Sequence, residues 1–269
     1  MARASYSRDR LVEALAEVGL ETGDTVFSHV SLLNLGVPEE MRAGQSPVDV
    51  VHAAVRDVIG PEGTFLTPSY TYSFCRNEPF DARHTPSTVG SFSEALRTRP
   101  SFRRSLDPIF SVVGEGPTVP DLFRDLPPSS FGAGSLNRRM WERNVKVCNI
   151  GVDLFYLTPI HALERSLGVP YRFDKNFRGE IRGPGGATET EWEYYVRVLA
   201  AETAPNCRPL QDEALRLGLA RQRRVGAGTV TCTEMAPYFE LAARCVREDP
   251  WFLTAGPALR RDQLDEMRS

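Results

Sequence analysis

Short apolar segments alternate with amphipathic ones along most of the chain, and glycine or proline marks nearly every junction between them. This alternation restricts the fold more than any other feature. The apolar segments at residues 24–30, 64–68, 108–114, 145–151 and 224–232 have strand length, and none of them can bury itself alone. The intervening stretches at 7–18, 47–59, 91–97, 191–201 and 237–247 carry apolar residues at helical spacing, with Leu11, Ala14, Leu15 and Val18 on one face of the first. Gly19 is placed to end that helix, and Gly60-Pro61 to end the second. Residues 77–89 read as a polar loop and 170–189 as a long irregular stretch. The expected architecture is α/β, with a central mixed or antiparallel sheet flanked by helices. Residues 1–269 are expected to form one domain.

Composition excludes several classes of function. The chain has 269 residues, a formal net charge of -3 and a pI near 5.9, which argues against a nucleic-acid binder with its usual basic face. The five cysteines Cys75, Cys148, Cys207, Cys232 and Cys245 are dispersed, without the paired spacing of a zinc site or a disulfide framework, so no metal is expected. The first twenty residues lack the apolar core of a signal peptide, and no apolar run has membrane-spanning length. A cytoplasmic protein with no membrane partner is the expectation, with a homodimer left open as the assembly.

The most informative stretch is residues 149–170, NIGVDLFYLTPIHALERSLGVP. Thr158-Pro159 is a helix start, with threonine as the N-cap and proline at the first position. Leu167-Gly168-Val169-Pro170 is a helix stop. His161 then falls at the third helical position, with Glu164 one turn later. The positive end of the helix dipole disfavours imidazolium, and a neutral imidazole is what a base for an attacking amine requires. Glu164 favours charge on the ring and can hold it in one tautomer. Spacing alone also fits a helix-start pair that serves stability only.

Five ordered segments narrow the choice. Residues 27–36, FSHVSLLNLG, resemble a VHSSL…LG motif, and residues 60–71, GPEGTFLTPSYT, resemble GxxGTLxxPTxT. Residues 80–90, FDARHTPSTVG, resemble FDPxxTPxxxG, and 104–111, RSLDPIFS, resemble RSxHPxxS. Residues 151–164 resemble GVGxDxxTxLHxAE. These are the motifs, in order, of the aminoglycoside 3-N-acetyltransferase family, which the chain resembles over about residues 20–170 and more loosely beyond. The resemblance implies that family's fold and acetyl-CoA or another acyl-CoA as donor, with an acyl-carrier protein kept as an alternative. It implies direct attack by the primary amine of a small molecule, with His161 as general base and Glu164 as its partner. It sets His29, Ser31, Leu32, Ser111 and Thr158 along the acyl-CoA. Hydroxyls and free backbone N–H groups at Ser31 and at the helix start near Thr158 would donate to the thioester oxygen; ordinary turn and cap chemistry explains Ser31 equally well and Thr158 less well. On the acceptor side it sets Tyr72, His84, Asp107, Phe155 and Tyr156, with residues 171–269 completing that side.

Two departures bear on the acceptor. Asp107 replaces the histidine of RSxHPxxS, and Phe155 stands where the family has an acid, with Asp153 two places earlier. An aminoglycoside carries several ammonium groups and needs facing carboxylates. The mouth beside Tyr156 is therefore expected to be more apolar, closer to biosynthetic members acting on an amino sugar or a secondary-metabolite amine than to resistance enzymes. Arg172, Lys175 and Arg178 read as a basic loop for phosphates or an acidic acceptor, or equally as a solvated loop. Two other readings compete: a thioester hydrolase using Cys148 or a serine with His161, and a non-catalytic binding protein.

Overall fold

The computed structural model describes residues 4–183 and 185–268. Its strands are β1 (Ser5–Tyr6), β2 (Thr25–Phe27), β3 (Val37–Pro38), β4 (Thr64–Pro68), β5 (Phe80–Asp81), β6 (Arg103–Arg104), β7 (Val112–Glu115) and β8 (Lys146–Ile150), followed by β9 (Arg172–Gly183), β10 (Gly186–Arg197), β11 (Ala220–Val225) and β12 (Gly228–Glu234). Seven of them form the central sheet in the order β11-β12-β8-β2-β4-β7-β6. The middle three, β8, β2 and β4, run parallel, and the strands on either side pair antiparallel. The sheet is mixed, one of the two forms expected.

Strand periodicity divides the core between two faces. Val26, Phe65 and Cys148 point to one side, against Leu11 and Leu15 of the helix Arg8–Glu17 and Val51, Val55 and Ile59 of the helix Pro47–Ile59. Their neighbours Phe27, Leu66 and Val147 point to the other side, against Met140, Leu163, Tyr238 and Phe239. Helices cover both faces, so β4 is buried along its whole length, as is β8 apart from half-buried Lys146. Local signals start these helices cleanly. The hydroxyls of Ser7 and Ser46 accept the N–H groups of Arg10 (3.2 Å) and Asp49 (3.1 Å), and Pro47 occupies the first turn of its helix.

The structure overturns the reading of residues 170–201. Most of the stretch expected to be irregular and of the helix expected at 191–201 forms a hairpin, β9 with β10, twelve residues each and paired from Arg172↔Arg197 to Gly183↔Gly186, and residues 198–201 are neither helix nor strand. Trp192, Tyr195, Val196 and Leu199 sit at helical spacing, but the segment is rich in aromatic and β-branched residues, and long cross-strand pairing decides its form. The expected strand at 108–114 narrows to β7, because residues 108–110 form a turn. The strand expected at 224–232 is a hairpin, β11 with β12. Helices Leu136–Glu142, Arg208–Arg216 and Arg261–Arg268 add to those read from sequence. No helix of the described residues is long and apolar enough to cross a membrane.

The carboxyl ends of β2, β4 and β8 share one edge of the sheet, the usual place for a ligand in a parallel arrangement. Gly151 makes that edge compact. Its φ is +72°, and a Cβ there would lie 2.4 Å from the carbonyl oxygen of Ser31. Gly151→Ala is expected to destabilise the protein by roughly 1–3 kcal/mol through backbone strain, beyond the steric contact itself. Chemical denaturation checks this, and an unchanged midpoint would show that the Ser31 turn yields freely.

Candidate active site

A cleft of about 290 Å³ opens at this edge. His29 and Thr67 form one part of its wall, Tyr70, Tyr72 and Phe92 another, with Thr158 beside them and Tyr156 at the lip, 56% exposed. No residue lining it is an aspartate, glutamate, lysine or arginine. The His29 ring meets Phe27 edge-on at 5.1 Å and faces Tyr70 at 6.4 Å. Burial lowers its pKa to about 4, so it is neutral. Its Nδ1 lacks a well-formed hydrogen bond, with the Asn149 side chain nearby. The buried hydroxyl of Tyr70 lies near Thr158, also without a well-formed bond.

The candidate base lies behind this wall. The helix Ile160–Leu167 begins one residue later than the sequence predicts. Thr158 does not cap it with its side chain. Its carbonyl instead accepts the His161 N–H at 3.1 Å, in a tight first turn, so His161 is the second helical residue. The His161 side chain is 18% exposed, and Phe131 packs edge-on against it at 5.4 Å. Phe131 meets Phe110, and Phe110 meets both Tyr70 and Tyr72, so an aromatic chain links the base to the cleft.

Nδ1 of His161 lies 2.5 Å from Oε2 of Glu164. At the other end of the helix Gly168 adopts a left-handed conformation, which ends the helix and turns the chain back. Residues 171 and 172 thereby return to the same carboxylate. The Tyr171 hydroxyl donates to Oε1 at 2.7 Å, and Arg172 Nε lies 2.8 Å from Oε2. Burial opposes ionisation of Glu164. The Arg172 guanidinium, the His161 ring and the Tyr171 hydroxyl outweigh it and bring the pKa to about 2. Burial and Arg172 hold the His161 pKa below its ordinary value, against the opposing pull of Glu164. A neutral ring hydrogen-bonded through Nδ1 to an ionised carboxylate leaves Nε2 as the proton acceptor.

The other sequence candidates divide into cleft and framework. Tyr72 is on the cleft wall with φ +54°, a strained conformation for an aromatic residue. Ser31 caps the short helix Leu32–Leu35, accepting the Asn34 N–H at 3.4 Å. Its own N–H is not free, because it donates to Ile150 O at 2.9 Å. Leu32 opens that short helix. Phe155 packs on Tyr156 at 5.1 Å, and nearby Asp153 is tied to Arg208 at 3.1 Å.

Ser111 and Asp107 are interior braces rather than ligand-facing groups. The Ser111 hydroxyl donates to Ser69 O at 2.6 Å and accepts from Arg104 Nε at 3.0 Å. Asp107 Oδ1 accepts the N–H groups of Ile109 and Phe110 at 2.8 and 2.7 Å. The turn so formed presents Ile109 O to the N–H groups of Thr71 and Tyr72. His84 is exposed, 3.0 Å from Asp81, on a separate arginine-rich groove with Arg83, Arg97 and Arg104. The basic loop read at 172–178 is the start of β9. Arg172 is buried there, Lys175 lies over Phe177, and Arg178 pairs with Glu191. Cys148 is buried opposite Cys232, and that neighbour together with burial raises its pKa well above the ordinary thiol value, the wrong state for a nucleophile.

Sequence reasoning overlooked Tyr171 and Arg172 as partners of Glu164. The signal available was position: both follow the predicted helix stop directly, where the chain doubles back.

The family described as aminoglycoside 3-N-acetyltransferase matches residues 27–247, and the chain belongs to it. An aminoglycoside N(3)-acetyltransferase III of Salmonella sp is 26% identical over 251 residues, covering 82% of this chain and 84% of that one. An aminoglycoside N(3)-acetyltransferase VIII of Streptomyces fradiae is 28% identical over 264 residues, covering 86% and 88%. Among solved structures, AAC-IIIb as a binary complex with CoASH superimposes with a TM-score of 0.78 at 24% identity, covering 95% of this chain and all of that one. The expectation of this family and its fold is borne out.

Asp107 gives a prediction. Burial raises its pKa to about 6, against the pull of its two N–H donors. A raised carboxyl pKa contributes most to stability at low pH, and the contribution is lost as pH rises through about 6. Asp107→Asn keeps the acceptor oxygen and is expected to remove this pH dependence. Asp107→Ala orphans two buried N–H groups and is expected to cost about 1–3 kcal/mol. Melting temperatures of the three proteins from pH 5 to 8 check both outcomes.

Proposed function

We propose that the chain is an acyl-CoA-dependent N-acyltransferase acting on a primary amine of a small molecule of low positive charge, such as an amino sugar or a secondary-metabolite intermediate. The observation that carries the reading is the mostly enclosed, neutral imidazole of His161, oriented through Nδ1 by ionised Glu164, behind the wall of an uncharged cleft at the carboxyl ends of the parallel strands. Family membership supports the reaction class, and the CoASH complex of a structural relative supports the donor.

The cleft fits an acyl-CoA arm. Its lining is uncharged, and the Nδ1 of His29 and hydroxyl of Tyr70, neither in a well-formed hydrogen bond, offer polar groups to an amide-bearing chain. His29, Tyr70, Tyr72 and Thr158 would hold the arm, with Leu32 at the Ser31 turn. Bound acyl-CoA supplies an acyl thioester. The chain's own part is to take the amine proton on His161 Nε2 as nitrogen bonds to the acyl carbon, while Glu164 stabilises the imidazolium that forms. As the carbon–sulfur bond breaks, that proton passes to the departing thiolate and CoA leaves as the free thiol. Thr158 and Tyr70 are the available donors toward the oxygen that gains negative charge.

Charge around the base favours an acceptor that is not polycationic. Glu164 is committed to His161, Tyr171 and Arg172, and Asp174 and Glu193 are committed to Arg165. Arg172 and Arg197 both act on the His161 ring. Tyr72 and Tyr156 make the cleft aromatic, with Phe155 packed behind Tyr156. Residues 171–269 supply Arg172, Tyr194 and Arg197, so the acceptor side draws on the end of the chain. The cytoplasm, where acyl-CoA is made and used, is the place for such an enzyme.

A thiol-release assay over an amine panel tests the proposal. Acetyl-CoA with neutral or singly charged amino sugars is expected to turn over faster than with kanamycin-like polycations. Faster turnover of the polycations would overturn the acceptor assignment. His161→Ala is expected to lower the rate about 10²–10⁴-fold. An unchanged rate would remove the base, and acetyl-CoA hydrolysis without any amine would favour a hydrolase.

A further inference from the structure

Nε2 of His161, the nitrogen that accepts the proton in the proposed reaction, does not face open space. Arg172 Nη2 lies 3.4 Å from it, while Nε of the same guanidinium lies 2.8 Å from Glu164 Oε2 and Nη1 donates to Tyr195 O at 3.2 Å. The guanidinium therefore spans both ends of the dyad: the carboxylate that holds Nδ1, and the lone pair of Nε2. It is itself buried, so its position is set by packing rather than by solvent.

We propose that Arg172 is the positioning residue of this site. It keeps Glu164 ionised and aimed at Nδ1, and it shields Nε2 from solvent protons until an acceptor amine displaces its Nη2. The inference rests on the reading of His161 as the base. A fixed cation beside Nε2 works on the two partners in opposite senses. It favours the carboxylate and disfavours imidazolium, so the dyad rests as carboxylate and neutral imidazole rather than as a charged pair. Glu164 alone would draw a proton onto the ring and exhaust the base before the amine arrives. Lysine is not equivalent, because a single ammonium does not reach the carboxylate, the ring nitrogen and the Tyr195 carbonyl with a fixed fork.

The groups facing the ring are few. Glu164 comes from its own helix, Arg172 from β9 and Arg197 from the end of β10, with the Phe131 ring against one side. Tyr171 reaches the ring only through Glu164, and Cys207 and Tyr194 lie near the Glu164–Arg172 pair. Arg197 is held by Val198 O, Ala200 O and Thr203 Oγ1, so it stays in place when Arg172 changes.

The test is an NMR titration of the histidine rings. The chain has four histidines, and His161→Ala identifies the signal of interest. In Arg172→Gln the His161 midpoint is expected to move up by about one pH unit. The acidic limb of kcat/KM should move with it, so activity falls more at pH 6 than at pH 8.5. Arg172→Lys should keep the midpoint near that of the wild type and lower kcat through loss of the fork. Removing one partner of a buried pair can prevent folding. The double variant Glu164→Gln/Arg172→Met, which leaves no unpaired charge, is therefore compared with Glu164→Gln, and its midpoint must again be the higher. A His161 midpoint that stays in place or falls in the folded variants overturns the proposal. The titration reads the ring without turnover, so a failure of His161 as base would show separately, as undiminished activity of His161→Ala.

Discussion

An ionised carboxylate in the interior is the constraint on which the site depends. Glu164 has almost no contact with solvent, and a lone buried charge of this kind costs several kcal/mol. The chain meets that cost locally, with an imidazole, a phenol and a guanidinium around the two oxygens. Much of the surrounding architecture follows from holding those three in place. The left-handed Gly168 turns the chain back, β9 begins at once with Arg172, and its pairing with β10 fixes the guanidinium against Tyr195 O.

The second constraint is the parallel triplet at the centre of the sheet. Because β2, β4 and β8 run the same way, the segments leaving them converge on one edge. His29, Tyr70 and the stretch from Gly151 to Thr158 come together although they are distant in sequence. The turn capped by Asp107 then braces the strained Tyr72 against Phe110.

The helices Arg8–Glu17 and Pro47–Ile59 and the strands β4 and β8 were legible because their signals are local. Ser46-Pro47 and Gly60 bracket a helix whatever surrounds it, and the buried runs of β4 and β8 have no other use. His161 and Glu164 were legible from spacing and motif order. Three features were not. Residues 191–201 satisfy both helical and extended patterns, and only pairing with β9 decides between them. Asp107 and Ser111 read as ligand-binding residues, yet both are buried and their oxygens bond to backbone and to Arg104. Arg172 read as one member of a basic run, whereas a contact with Glu164 across a turn gives it a different environment from Lys175 and Arg178.

The tight turn at Gly168 has a consequence for how such a site can change over time. His161, Glu164, Tyr171 and Arg172 fall within twelve consecutive residues, so the group of contacts around the buried carboxylate is encoded almost as a cassette. The aromatic cleft wall and the far end of the β9–β10 hairpin lie outside it. Substitutions there can re-shape what the protein admits while the cassette stays intact, and a single inserted residue between Gly168 and Tyr171 would throw its two halves out of phase.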